Sequence, residues 1–211
     1  MISKRLFLQQ AGGMAAAALS LPSWAQGAPV EGKHYKRLQV AQPISNEKGE
    51  VLEFFWYGCP ACFRFDPTLN QWLTRKPAQV SFRRSPAIIH GASKAHQRLF
   101  FTLQALGLSE SLHVQVFAAV QADQEGMGEL KGMQAGLSKL GVDAAKFAQF
   151  YQSFSVQTRC SQADTLIRSY LGDAYTVPSL AVNGRYITSP SMAGGDAQAV
   201  AVVDYLLTLP R

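Results

Sequence analysis

The sequence predicts an α/β protein whose chain is interrupted by an all-helical insertion, and three observations carry that expectation. An apolar run at residues 51–57, a helical segment from 59 towards 73 and a second short run at 80–84 make a strand, helix, strand unit. From Pro86 onward, helical spacing alone continues for about 70 residues. An Asn-Gly turn between two short strand-like runs and a last amphipathic helix then close the chain.

Each element has its own warrant. A short extended segment is expected at residues 35–40, followed by a turn cluster at 43–49 that begins with Pro43 and ends with Gly49. The run Val51-Leu52-Glu53-Phe54-Phe55-Trp56-Tyr57 is apolar on both faces apart from Glu53, the pattern of a central strand covered on both sides. The helix opening at Cys59 has Pro60 in its first turn, where a missing N–H is harmless, and Pro67 in its interior, which predicts a kink. In the insertion, Ala95, Leu99, Leu103 and Leu106, then Leu112, Val116, Phe117 and Val120, repeat at helical spacing, with Ser93 and Ser109 as expected caps. Further helices are expected at 130–140 and, capped by Asp143, through 147–154. Beyond them Cys160, Ala163, Leu166, Ile167, Tyr170 and Leu171 share one stripe, so Cys160 reads as a small core thiol rather than a third redox partner. Residues 179–182 and 185–188 flank Asn183-Gly184, which suits a two-residue type I′ turn. Val200, Val203 and Leu207 share a face of the last helix, 196–207. The expected boundaries are a leader at 1–25, an α/β domain in two pieces at 26–85 and 157–211, and a helical insertion at 86–156.

With 47% apolar and 16% charged residues among 211, the chain is neither disordered nor fibrous and has material for a sizeable core. The net charge is +6, two units of which belong to Lys4 and Arg5 of the leader, and without a basic cluster no nucleic-acid partner is expected. Lys4 and Arg5, the apolar stretch 11–21 and Ser23-Trp24-Ala25 read as an export signal with a small-x-small cleavage site. The apolar stretch is too short to span a bilayer. Ser3-Lys4-Arg5-Leu6-Phe7-Leu8 is also similar to a twin-arginine signal, with Lys4 in place of the first arginine. Either route delivers a chain beginning near Gln26 to an oxidising compartment, where disulfides persist. With no cysteine near the cleavage site, a lipid anchor is not expected there.

Cys59 and Cys62 are the most informative residues in the chain. They follow a strand and a glycine at the spacing of one helical turn, so their side chains are neighbours within reach of disulfide geometry. Cys59 falls at the helix N-terminus, where unpaired N–H groups and the helix dipole favour its thiolate. Cys62 lies one turn inside without that help. Half a zinc site is the first rival reading, but four ligands are needed, and only Cys160 and four scattered histidines remain. A structural disulfide is the second, though so small a loop constrains the unfolded chain little. The strand-turn-helix context favours a redox couple.

Val51-Leu52-Glu53-Phe54-Phe55, the Cys59-Pro60-Ala61-Cys62 helix, the helical insertion, and Val177-Pro178 followed by Val182-Asn183-Gly184-Arg185-Tyr186 together resemble the DsbA family of bacterial periplasmic thiol:disulfide oxidoreductases, over essentially the whole mature chain. The resemblance implies a thioredoxin-like fold with an inserted all-helical domain, a periplasmic location and a working form carrying a Cys59–Cys62 disulfide. It implies reduced, unfolded exported proteins as substrates, reacting through a mixed disulfide at Cys59, and a DsbB-like, quinone-linked membrane oxidase that restores the pair. No cofactor or metal is implied, and a monomer is expected. Val177-Pro178 matches the family's cis-proline loop, which offers the backbone of the residue before proline to an extended substrate. Glu53 stands where the family's acid exchanges a proton with the inner cysteine, here Cys62, and an acid in a buried strand has a raised pKa.

Ala61 departs from the family, which carries histidine there to stabilise the outer thiolate. Its presence predicts a less acidic Cys59 and a less oxidising pair, with Arg64 on a solvated helix face as a possible electrostatic substitute. His34, His90, His96 and His113 have no motif around them and read as surface or packing residues. Trp56, Tyr57 and Phe63 read as core before groove, while Met192, in the loop 188–195, reads as a substrate contact. The alternatives are a thiol reductase or isomerase, or a peptide-binding chaperone with a structural disulfide.

Overall fold

The computed structural model describes residues 27–210, so the expected leader lies outside the described residues. Among the described residues five strands form one sheet: β1 (Lys36–Arg37), β2 (Glu50–Phe55), β3 (Ser81–Pro86), β4 (Ser179–Val182) and β5 (Tyr186–Thr188). Their order is β1-β5-β4-β2-β3. β2 and β3 run parallel, joined by helix α1 (Pro60–Arg75), as the sequence pattern requires; the β1–β5, β5–β4 and β4–β2 pairings are antiparallel. The β2–β3 register sets Glu53 opposite Arg84.

Side-chain alternation along β2 assigns its two faces. Val51 joins Phe65, Leu69 and Trp72 of α1 and Val200, Val203 and Leu206 of the last helix, α8 (Asp196–Thr208), in one cluster. Leu52 and Phe54 point the other way, onto Ile167 and Tyr170 of helix α6 (Phe154–Leu171). Each fully buried Leu or Phe contributes about 1.5–3 kcal/mol, so these two layers hold β2 and α1 firmly around the cysteine turn. The sheet with helices on both faces is a thioredoxin-like fold.

Between β3 and α6 the chain is helical: α2 (Ser93–Ala105), α3 (Ser109–Ala122), a 3₁₀ turn (Gly126–Gly128), α4 (Leu130–Ser138) and α5 (Ala144–Tyr151). Leu99, Leu103, Val116, Phe117 and Val120 are buried in one core with Met133, Phe147 and Val156. Phe55, Tyr57 and Cys62 belong to that same core, so the inner cysteine is packed against the insertion.

Several expectations are corrected in detail. Ser93 and Ser109 are the first residues of α2 and α3, not their caps; Ala92 and Leu108 precede them without a side-chain cap bond. Ser93 Oγ instead accepts from the Ile89 and His90 N–H groups and pins the entering loop. Asp143 does cap α5, its Oδ1 accepting from Lys146 N–H. That helix stops at Tyr151, because Ser153 caps α6 and restarts the chain at Phe154. Asn183 (φ 52°) and Gly184 (φ 63°) adopt the left-handed conformation a type I′ turn needs, yet Val182 pairs with Tyr186, so the connection spans three residues. On α8 it is Leu206 that is fully buried, with Leu207 half-buried beside it. The segment around residues 35–40 contributes only the two residues of β1.

Candidate active site

β2 ends at Phe55, and Trp56, Tyr57 and Gly58 carry the chain over to Cys59, the N-cap residue of α1. The turn is closed by the Cys59 N–H donating to the Trp56 carbonyl at 2.9 Å. It admits no side chain at Gly58, where a Cβ would meet the Trp56 ring at 2.3 Å. Cys59 is half-buried with extended backbone, and its sulfur accepts from the Cys62 N–H at 3.4 Å, doing the work of a serine or aspartate cap. Pro60 is exposed at the start of the helix and Ala61 half-buried beside it.

The two thiols are free and differ sharply in acidity. Cys59 is brought down to about 6, first by its side-chain hydrogen bond with Cys62, then by the backbone N–H groups of Cys62 and Ala61 and the charge of exposed Arg64, while partial burial pulls the other way. Cys62 is fully buried; desolvation, the hydrogen bond with Cys59 and the negative charge of Cys59 all push its thiol far up. The outer thiol therefore ionises readily, while the inner one holds its proton.

Beneath Cys62 lies a polar layer of which only Glu53 stands out in the sequence. Its carboxyl is 1% exposed, raised to about 7 chiefly by burial, and its charge adds to the upward push on Cys62. It lies on β2, which has β4 on one side and β3 on the other, not at a sheet edge reaching water. Arg84 of β3 holds it, Nε to Oε2 at 3.0 Å, and from the same guanidinium reaches Asp66 at 3.4 Å, Asn70 at 2.9 Å and the exposed Glu110 at 3.3 Å. His113 of α3 stands with Nε2 3.2 Å from Asp66 Oδ1 and Nδ1 3.2 Å from the Tyr57 hydroxyl. The buried charge is thus paired, as burial requires. Two arginines ending a short strand beside an acid-bearing one were the available signal for this layer.

Of the remaining histidines, His96 is buried and accepts from the Trp56 indole N–H at 3.0 Å, and His90 packs edge-on against that indole. Burial lowers His96 to about 4, so it stays neutral. His34 accepts from the Val30 N–H in an exposed turn ahead of β1. The structure places no histidine on the sulfurs, in line with the packing role expected of them.

Across from Cys59 the Val177–Pro178 peptide bond is cis, as the resemblance implies. The Cys59 sulfur lies 3.6 Å from the Val177 carbonyl, which accepts its S–H. Trp56 and Tyr57 are core residues, whereas Phe63 is exposed on α1 and rests on Phe117. Met192 is half-buried and lines a cavity of about 410 Å³ with Thr176, Ser179 and Tyr175, the segment that carries Pro178. Cys160 is half-buried at the edge of the helical core, where burial raises its thiol to about 11. It is far less acidic than Cys59. Among the described residues no group of three or more His, Cys, Asp or Glu is placed to hold a metal ion.

One acidic and one proton-demanding thiol in a single helical turn of a thioredoxin-like fold define the class of the protein: it is a thiol:disulfide oxidoreductase. Comparison with known proteins narrows this further. The DSBA-like thioredoxin domain matches residues 50–206. The chain is 36% identical to the thiol:disulfide interchange protein DsbA of Azotobacter vinelandii, covering 85% of this chain and 84% of that one. It is 37% identical to the protein of the same name from Bordetella pertussis, over 97% and 96% of the two chains. The crystal structure of Pseudomonas aeruginosa DsbA is similar with a TM-score of 0.79 and 34% identity, over 85% of this chain and 93% of that one. The chain belongs to the DsbA family.

Proposed function

We propose that Cys59 and Cys62 are the working pair, and that the chain donates their disulfide to reduced, unfolded proteins newly exported to the periplasm. The split acidity of the two thiols is the observation that carries this reading. A substrate thiolate attacks the Cys59 sulfur, and Cys62 departs with the electron pair. Glu53, protonated below about 7, supplies the proton that the buried Cys62 thiolate needs. A second substrate thiolate attacks the substrate sulfur of the mixed disulfide, and Cys59 leaves as its stabilised anion. Two substrate thiols have then been oxidised and the pair has gained two electrons. A DsbB-like, quinone-linked membrane oxidase returns those electrons to the membrane and restores the disulfide.

Val177, Pro178 and Met192 form the substrate side of the site in this reading, the Val177 carbonyl being already turned to the Cys59 sulfur. Pro60 and Ala61 shape the helix start. Residues 1–25 act as the export signal, 26–85 and 157–211 as the thioredoxin-like domain and 86–156 as the helical insertion, and the mature chain works as a monomer. Among the described residues no helix is long and apolar enough to cross a membrane, which is compatible with this location.

The test is oxidation of a reduced multi-cysteine substrate by the mature, oxidised chain. Cys59→Ser should abolish it, and Cys62→Ser should trap a substrate-linked species through Cys59. Reduction of substrate disulfides without oxidation of substrate thiols would instead support the reductase or isomerase. Peptide binding that survives loss of both cysteines, without any exchange, would support the chaperone.

A further inference from the structure

The turn that presents Cys59 is gripped at four points by the helical insertion. His96 of α2 holds the Trp56 indole and His113 of α3 meets the Tyr57 hydroxyl. The backbone is held as well. Gln121, near the end of α3, donates its Nε2 to the Tyr57 carbonyl at 2.6 Å, and Gln124, just after that helix, donates to the Gly58 carbonyl at 2.9 Å. These are the two peptide carbonyls immediately before Cys59. Neither glutamine bonds a sulfur, and neither belongs to the sheet or to α1.

We propose that Gln121 and Gln124 are positioning residues for the redox pair, their carboxamides fixing and polarising the two peptide groups that lead into Cys59 and so favouring its thiolate. The physical reason lies in the peptide groups themselves. The Gly58 carbonyl shares its peptide group with the Cys59 N–H, and the Tyr57 carbonyl shares one with the Gly58 N–H. A donor on each carbonyl draws electron density from the amide nitrogen towards the oxygen and so strengthens the dipole of the whole group, as in any hydrogen-bonded chain. Those dipoles sit at the N-terminus of α1, where the field on Cys59 is set. Without the donors the carbonyls of two buried residues would be left unpaired, or would turn and carry Cys59 with them. The glutamines thus supply, from the insertion, part of the stabilisation that this chain lacks through having Ala61.

The proposal rests on Cys59 being the reactive thiol, and the test reads that thiol directly, whichever direction of exchange the enzyme favours. Gln121→Met and Gln124→Met, singly and together in a Cys160→Ser background, keep the side-chain length and remove the donors. The thiolate absorbance of the reduced protein is followed against pH, and the same variants are equilibrated with glutathione buffers. Gln134→Met is the control, because Gln134 makes the same kind of bond, to the Ala144 carbonyl at 2.9 Å, inside the insertion. The single variants should show a roughly threefold lower thiolate-to-thiol ratio at a fixed pH near the midpoint, and an equal change in the redox equilibrium of about 14 mV towards the reducing side. The double variant should show more. Gln134→Met should lose thermal stability and leave both readouts unmoved. Unchanged Cys59 titration in the double variant, with a loss of stability like that of the control, would overturn the proposal and leave the two bonds as structural ties only.

Discussion

The lowered pKa of Cys59 makes a quantitative demand on the stability of the reduced protein. Cys59 lies at about 6 when folded against an ordinary value of 9.0. Between those values the folded reduced chain binds fewer protons than the unfolded one, so stability rises with pH. The thiolate's contribution is complete above about pH 9 and is lost as the pH falls through about 6. Three units would correspond to ~4 kcal/mol without screening. Cys59 is only half-buried, and solvent screening brings the expected figure nearer ~2 kcal/mol. The measurement is urea unfolding of the reduced protein and of Cys59→Ser, both in a Cys160→Ser background, at about pH 5.5 and about pH 8.5. The gap in unfolding free energy between the two proteins should widen by ~2 kcal/mol from the lower to the higher pH, since every other titrating group cancels in the difference. Equal gaps at both values would show that the folded structure does not stabilise the Cys59 thiolate, and the assignment of roles to the two sulfurs would fail.

Three further substitutions probe the surroundings. Glu53→Gln should remove a step near pH 7 from the pH–rate profile of thiol exchange, measured by stopped-flow fluorescence. Because the Glu53 carboxyl is raised, its contribution to stability is complete below about 4.5 and lost as the pH rises through about 7, so the Gln variant should show a flatter stability curve over that window. Arg84→Met leaves Glu53 and Asp66 buried without their shared cation and should destabilise the fold by about 3–5 kcal/mol in denaturant unfolding. Gly58→Ala pushes a methyl into the Trp56 ring and should lower stability by about 1–3 kcal/mol, read as a fall in Tm, while slowing exchange by displacing Cys59.

The sequence disclosed what is local and periodic. The cysteine spacing after a strand and a glycine located the split-acidity thiols at the start of α1, and helical repeats located the inserted helices, because both depend on near neighbours in the chain. What pairs across the fold was less legible. Glu53 stood out as a lone acid in an apolar strand, but its partner Arg84 became visible only through the parallel register of β2 with β3. Asp66 and His113 meet across the boundary between α1 and α3, from positions 47 residues apart by number, and nothing local in either helix marks the contact. Ser93 and Ser109 show a limit of another kind. Serine suits the cap and the first helical position alike, and at residue 93 the hydroxyl serves the loop before the helix. Gln121 and Gln124 are ordinary polar residues near a helix end until the cysteine turn is folded against them.

The most direct test of the account is equilibration of the mature chain, as Cys160→Ser, with graded glutathione buffers, the state of Cys59 and Cys62 being read by thiol trapping. The account predicts a pair that stays reduced even in buffers as oxidising as the periplasm, because the reduced form is held by a stabilised Cys59 thiolate. A pair that is already oxidised in strongly reducing buffers would contradict it: such a disulfide is too stable to be given away, and donation to exported proteins would not be the function of this site.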